Sequence, residues 1–310
     1  MSQFPISIKP ELLREKVIIV TGGSNGIGAS FVKLCCGNGA YVCFGDVALE
    51  AGRELERECN HLETGQLPRT IFCPTDVTDY SAVVALFDCA LQTYHRIDHV
   101  VSCAGIGEIG NLFDPKLNLE SIRTVMTKSP PPERKTLDVN LLGCIYVTRI
   151  ALVYLRQNRR ADEDRSIVLV SSVAGFKESP GIFVYQASKH GVIGLMRSLR
   201  RYTFRPDTHN IRINTVCPWM TQTAMTKGIE KSWLEAKLPV NTPTDVARIV
   251  TSLFSDSNLN GKSIYVEGGR GWEIEDNLDR LEPQWLGEAP SVSLNKGQEV
   301  LGDGSDWTTK

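Results

Sequence analysis

Tyr185 and Lys189 stand four residues apart in the run YQASK, with Ser172 thirteen residues upstream and the stretch TGGSNGIG near the start of the same chain. Residues i and i+4 of a helix share a face, so the Lys189 ammonium can be held close to the Tyr185 phenol. A free phenol titrates near about 10, and making one a base near neutrality takes roughly 4 kcal/mol of preference for phenolate over phenol. One unit charge at about 4 Å, in an effective dielectric of about 20, supplies an amount of that order. An oxidised nicotinamide ring alongside would add a second positive charge. The tyrosine–lysine pair and the glycine-rich stretch together point to hydride chemistry that needs no metal.

Such a pair must be positioned by a scaffold, and the chain alternates short β-branched runs with longer amphipathic stretches. Strands are expected at 17–21, 41–45, 70–73, 97–103, 167–171, 211–217 and 263–266, each a nearly unbroken apolar run of the kind buried on both faces. Helices are expected at 27–38, 48–60, 79–94, 134–157, 184–204 and 243–254. Strict alternation implies an α/β fold: a doubly wound, Rossmann-type, seven-stranded parallel sheet with helices on both faces, in a single domain over 16–270. Residues 1–15 read as an N-terminal extension. Three segments exceed a minimal sheet. Residues 107–133 carry Pro130, Pro131 and Pro132 and should form a stiff excursion. Residues 219–242 read as a substrate lid. The tail 271–310 is polar but carries Trp272, Trp285 and Trp307, which leaves fraying and docking of 271–287 both open.

The 310 residues carry a net charge of −2, which gives no field to gather nucleic acid or an acidic membrane and favours a small-molecule substrate. Nine cysteines without a CxxC pair fit reduced thiols in a reducing compartment. Cys35, Cys36, Cys43 and Cys144 fall in apolar runs and read as buried small hydrophobes. The first sixteen residues contain no apolar signal region, and no later segment offers roughly 18 uninterrupted apolar residues, so a cytosolic location is expected.

VIIVTGGSNGIG is a strand, a glycine turn and a helix start in succession, the context that gives a glycine motif meaning. Gly22, Ser24, Asn25, Gly26, Ile27 and Gly28 are the candidates to meet a pyrophosphate at the helix N-terminus. Asp46 ends the second strand, about 20 residues beyond the glycines, where it could accept hydrogen bonds from ribose hydroxyls and repel a 2′-phosphate. With no Arg or Lys at Ser24, Asn25, Val47 or Ala48, the cofactor reading is NAD rather than NADP. Asp76 and Val77 end the third strand and could flank the adenine, although TDVTD also reads as a helix cap.

The motifs TGGSNGIG, SCAG (102–105), LDVNLLG around Asn140, SSVAG (171–175), YQASK (185–189) and CPWMTQT (217–223) resemble, in order and spacing, the short-chain dehydrogenase/reductase family in its basic form, over about 16–270. The resemblance implies a catalytic tetrad of Asn140, Ser172, Tyr185 and Lys189. Tyr185 would exchange a proton with the substrate oxygen, Ser172 would hydrogen-bond that oxygen, Lys189 would also hold the nicotinamide ribose, and Asn140 would position a water. It further implies cofactor contacts from Ala104, Gly105, Pro218, Thr221 and Thr223, and substrate contacts from Trp219, Met220 and Phe183. Two residues depart from the family pattern. Cys103 replaces a bracing Asn, and Trp219 replaces a Gly. That indole either stacks on an aromatic or polycyclic ligand or packs beneath the following helix. The YQASKHG run and Asp46 resemble NAD-dependent prostaglandin dehydrogenases, and the tail resembles fungal tailoring dehydrogenases of secondary metabolism.

The implied activity is NAD-dependent oxidation of a secondary alcohol, reversibly, on a medium-sized apolar, polyketide- or terpenoid-like molecule. A non-redox isomerase or cyclase on the same scaffold and a cofactor-binding non-enzyme are the alternatives. By resemblance the chain forms a homodimer or homotetramer through helices 134–157 and 184–204, with Ile145, Val147, Val192 and Leu195 facing outward or, alternatively, serving as core.

Overall fold

Each residue of Val17–Val20 is buried, yet alternate ones enter different cores: Ile18 and Val20 join one cluster, Val17 and Ile19 the other. That is what a period-2 strand must do when helices cover both faces, and it is why the run is apolar without interruption. The computed structural model describes residues 3–60, 67–113, 121–127, 132–158, 160, 163–205 and 210–302. Pro130, Pro131 and Trp307 lie outside the described residues.

One sheet contains β1 (Gln3–Phe4), β2 (Val17–Thr21), β3 (Tyr41–Asp46), β4 (Thr70–Pro74), β5 (His99–Ser102), β6 (Arg165–Val170), β7 (Ile211–Pro218), β8 (Ser263–Glu267) and β9 (Arg270–Glu273), in the order β1-β9-β8-β7-β6-β5-β2-β3-β4. The helices are α1 (Pro10–Leu13), α2 (Gly26–Gly37), α3 (Leu49–Cys59), α4 (Tyr80–Tyr94), α5 (Ile122–Thr127), α6 (Arg134–Leu137), α7 (Gly143–Tyr154), α8 (Phe183–Thr203), α9 (Glu230–Glu235), α10 (Pro243–Ser252), α11 (Glu275–Leu286) and α12 (Glu288–Leu301). Strands β2 to β8 are the seven expected parallel strands. The sheet has two more. β9 folds back antiparallel on β8, and β1 pairs antiparallel with β9. The turn between β8 and β9 is Gly268–Gly269, both with positive φ (54° and 73°), as a two-residue hairpin requires.

The first core cluster includes residues of α2 and α10, the second residues of α4, α7 and α8. Val147 and Val192 are fully buried in the second cluster and Leu195 packs against it, so these residues are core and not an outward apolar face; Ile145 is 37% exposed. Cys35, Cys43 and Cys144 are buried as expected, whereas Cys36 is half-buried. Among the described residues, the helical stretch Arg134–Tyr154 is long and apolar enough to cross a membrane, but Asn140, Cys144, Val147 and Ile150 on it are buried in the protein.

At the N-terminal ends of the strands, Asp98 accepts from the Val17 backbone N–H and the Arg165 guanidinium, and Asp164 accepts from Arg212. Buried His99 stacks on Phe254 and shares a 2.8 Å hydrogen bond with Ser166. Burial holds its imidazole down at about 4. Beyond β9, the tail docks: buried Glu275 at the start of α11 accepts from Arg197 (2.9 and 3.0 Å) and Arg200 (3.3 Å), both on α8.

Candidate active site

Strand order reverses between β5 and β2, and in an open parallel sheet that switch point leaves a crevice beyond the carboxyl ends of the strands. The glycine turn after β2, the SCAG loop after β5 and Ser172 after β6 all lie at this end of the sheet. The first and second meet closely: a Cβ on Gly22, which has φ +69°, would fall 2.6 Å from the Ala104 Cα. No side chain fits there.

Helix α8 carries Tyr185 and Lys189 on one face, with the Lys189 Nζ 5.6 Å from the Tyr185 ring centroid. Lys189 is buried, and its Nζ donates to the Val170 carbonyl at 3.0 Å, fixing the ammonium to the end of β6. Ser172 follows in extended conformation and caps the short turn Val173–Gly175, its Oγ accepting from the Ala174 N–H at 3.2 Å. Ser171 donates to the Lys189 carbonyl at 2.9 Å, which ties this loop to α8. Asn140 lies in a π-helical turn, Asp138–Leu142, between α6 and α7. Such turns redirect side chains and recur at functional sites. Its Oδ1 accepts from the Ile106 N–H (2.8 Å), and its Nδ2 donates to the Ile106 carbonyl (2.9 Å) and the Ser188 Oγ (3.2 Å). Ser188 in turn donates to the Tyr185 carbonyl at 2.6 Å. Gly105 leaves space between two of these groups, since a Cβ there would lie 3.4 Å from Asn140 Oδ1 and 3.5 Å from Lys189 Nζ.

On the cofactor side, α2 starts at Gly26, and its N-cap residue Asn25 makes no capping hydrogen bond, so the first-turn N–H groups lack that partner. The Ser24 hydroxyl beside them is buried and, among the described residues, has no hydrogen-bond partner, an orphan that a phosphate or ribose oxygen would satisfy. A Cβ on Gly28 would come within 2.0 Å of the Gly22 carbonyl oxygen, so the turn closes only with glycine. Asp46 is held against this turn, its carboxylate accepting from the Ser24 N–H (3.0 Å) and the Ala48 N–H (2.9 Å). These donor groups and the spare carboxylate lone pairs fit a dinucleotide. Val47 is exposed and Asp76, also exposed, accepts from the N–H and hydroxyl of Thr78. Val77 is buried in the second core cluster, against Gly143. The capping role in TDVTD belongs to Asp79, which accepts from Ser81 and Ala82. Cys103 substitutes for a bracing side chain with backbone and packing: its N–H donates to the Thr21 carbonyl, and its thiol, pushed up to about 11 by burial, packs against the first core cluster.

Residues 16–233 match the family model for short chain dehydrogenases. The chain belongs to the short-chain dehydrogenase family. It is 31% identical over 268 residues to the short-chain dehydrogenase/reductase ascJ of Acremonium egyptiacum, covering 86% of this chain and 83% of that one. It is 29% identical over 304 residues to a 5′-hydroxyaverantin dehydrogenase of Dothistroma septosporum, covering 93% and 95%. In fold it is similar to the 3-ketoacyl-(acyl-carrier-protein) reductase of Brucella melitensis solved with NADH, with a TM-score of 0.70, 21% identity, and coverage of 83% of this chain and 98% of the other.

The segment 219–242 of the dehydrogenase follows β7, which ends at Pro218. Thr221 is buried and forms a parallel bridge with Asn241, while the Thr223 methyl lies against Gly26, 3.3 Å from where a Cβ would sit. Trp219 packs edge-to-face on Trp233, with centroids 4.9 Å apart, and Trp233 donates to the Pro239 carbonyl. This contact is the packing against the following helix that is one of the two readings for Trp219. Met220 is buried; Phe183 and Met225 are exposed, and Met225 reaches Gly107 beside the SCAG loop. Two residues of the dehydrogenase have no counterpart in the sequence reading. Asn241 ties the two ends of this segment together and to the β8–β9 hairpin, donating to Thr221 and Val266 and accepting from the Gly269 N–H. Glu108 accepts from the N–H groups of Val184 and Tyr185 at 3.1 and 2.6 Å. Neither carries a local signature, because each partner is at least 20 residues away.

Proposed function

We propose that this short-chain dehydrogenase moves a hydride between NAD(H) and a secondary alcohol or ketone on a medium-sized, apolar, polyketide- or terpenoid-like molecule. The observation that carries the reading is the buried Lys189 ammonium held beside the Tyr185 ring, at the crevice where Asp46 grips the glycine turn. When bound, the dinucleotide supplies the hydride acceptor or donor. In the oxidative direction the Tyr185 oxygen removes the hydroxyl proton, and the nearby ammonium offsets the charge on the phenolate by Coulomb attraction. Ser172 hydrogen-bonds the substrate oxygen. Asn140 acts on the chain itself, locking Ile106 after β5 to Ser188 on α8 and so keeping Tyr185 in register with the crevice. The Asp46 carboxylate favours a free ribose over a 2′-phosphate, since the two anions would repel. Exposed Phe183, Met225, Leu234 and Leu238 offer apolar surface near the site and along the lid, which supports an apolar substrate. The relative named for a hydroxylated compound, 5′-hydroxyaverantin, extends over the tail as well as the sheet, which supports the same substrate class.

Steady-state assays on a panel of polycyclic secondary alcohols with NAD and NADP test the proposal. The expected result is kcat/KM for NAD above that for NADP by more than about tenfold, a difference of about 1.4 kcal/mol. Tyr185→Phe should lower kcat by about 10² to 10⁴ while dinucleotide affinity is retained. Better use of NADP would overturn the Asp46 argument. Substrate turnover without any change in reduced-nicotinamide absorbance would overturn the redox reading.

A further inference from the structure

Away from the crevice, three thiols from three different elements converge. Cys43 on β3, Cys73 on β4 and Cys89 on α4 have their sulfur atoms all within 4.8 Å of one another. The Cys43–Cys73 edge is 3.8 Å. These residues are far apart in sequence, and it is the strand register that gathers them: Cys73 pairs with Gly45, two residues beyond Cys43. Cys43 is buried in the second core cluster, while Cys73 and Cys89 pack on its margin and are partly exposed, so the cluster is covered by the core at Cys43 and reaches solvent at the other two residues.

The spacing has a chemical meaning. Four ligands placed tetrahedrally at a zinc–sulfur distance of about 2.3 Å put neighbouring sulfurs about 3.8 Å apart. The Cys43–Cys73 edge has that length. The remaining edges need to shorten by no more than about 1 Å, which rotation of the Cys73 and Cys89 side chains can supply. Three sulfurs and one free position fit a soft or borderline d¹⁰ ion, whereas magnesium or calcium would demand oxygen ligands. We propose that Cys43, Cys73 and Cys89 form a tris-thiolate site for a thiophilic divalent cation, with zinc as the physiological ion and a water in the fourth position. Binding forms three metal–sulfur bonds and releases the three thiol protons to solvent, leaving a unit of net charge −1. No electron transfer is involved. The ion would clamp β3, β4 and α4 together three residues before Asp46, which ends β3, and Asp76, two residues beyond the end of β4.

The site is independent of the hydride-transfer reading and is tested without turnover. Full-length protein, kept reduced, is titrated with Cd²⁺ while the thiolate-to-cadmium charge-transfer band is followed, and bound metal is counted by elemental analysis. One equivalent per chain is expected, with a rise in melting temperature, since a ligand of the native state stabilises it. Cys73→Ser and Cys89→Ser, both at partly exposed positions, should each weaken binding by about 100-fold, at or beyond what loss of an outer-shell partner costs. The double variant Cys36→Ser/Cys59→Ser, which alters the other half-buried thiols nearby in sequence, should leave the band intact. Absence of uptake, a band that survives both Cys73→Ser and Cys89→Ser, or a band that disappears with Cys36→Ser/Cys59→Ser would overturn the proposal.

Discussion

Helix α8 begins at Phe183 without a local cap, since the N-cap residue Ile182 has no side-chain acceptor. The N–H groups of its second and third residues, Val184 and Tyr185, are those a capping side chain would normally serve. Here the Glu108 carboxylate serves both, from the loop after β5. A negative charge at this end also suits the helix dipole. Replacing Glu108 by Ala removes two charge-assisted hydrogen bonds, but the site is half-buried, so water recovers part of the loss. Loss of a side-chain cap costs about 0.5–2 kcal/mol, and the charge places this one near about 2. For a chain of this size the melting temperature should fall by about 3 °C. The same energy acts on the turn that carries Tyr185. If it appears as fraying of that turn, the ordered fraction falls by up to about 30-fold, and kcat with it. Dinucleotide affinity, set by the glycine turn and Asp46, should not change. Glu108→Gln keeps an acceptor and loses the charge, so it should lie between wild type and Glu108→Ala. Thermal unfolding, a kcat against KM separation and isothermal titration with NAD together read the effect. A Glu108→Ala protein with unchanged melting temperature and unchanged kcat would refute the reasoning.

Two further outcomes concern stability. His99 holds its imidazole at about 4 in the folded chain against 6.5 as a model group, so between these values the unfolded chain binds the extra proton and stability falls as pH falls. The loss should reach about 3 kcal/mol by pH 4 and be complete about one pH unit below that. Asp98 and Asp164 act below this window: burial opposes their charge, but hydrogen bonds from Arg96 and Arg212 keep both under their ordinary range. Urea unfolding of wild type and His99→Gln at pH 4 to 7 checks this, and equal slopes in the two proteins would exclude His99 as the source. Glu275→Ala removes the acceptor for Arg197 and Arg200, and because both guanidiniums keep access to solvent the cost should be about 1–3 kcal/mol. Limited proteolysis should then cut near α11 first; unchanged resistance there would mean that the ion pairs do not hold the tail.

The seven parallel strands were legible because burial on two faces leaves an unbroken apolar run, as in Val17–Val20, and nothing nonlocal is needed to read it. Tyr185 and Lys189 were legible for a similar reason, since helical spacing alone puts them on one face. β1 and β9 were not, because strands of two and four residues carry too little pattern, although Gly268–Gly269 was a usable hairpin signal. The apolar residues of α7 and α8 left outer face and core both open at Val147 and Val192, because periodicity marks a buried stripe but not which neighbour buries it.

The parts of the candidate site that escape sequence reading share one property: they act through backbone groups of distant segments. Glu108 reaches the start of α8, and Asn241 joins Thr221 to Val266 and Gly269. Neither depends on a spacing within its own element. Cys43, Cys73 and Cys89 are the same case in another chemistry, unrelated positions until β3 and β4 pair and α4 packs over them. Reactive groups here sit at short, readable intervals, while the groups that hold them in place are supplied by tertiary contacts. A variant such as Glu108→Ala therefore separates the two kinds of residue: it leaves every expected catalytic side chain in the chain and removes only what orients one of them.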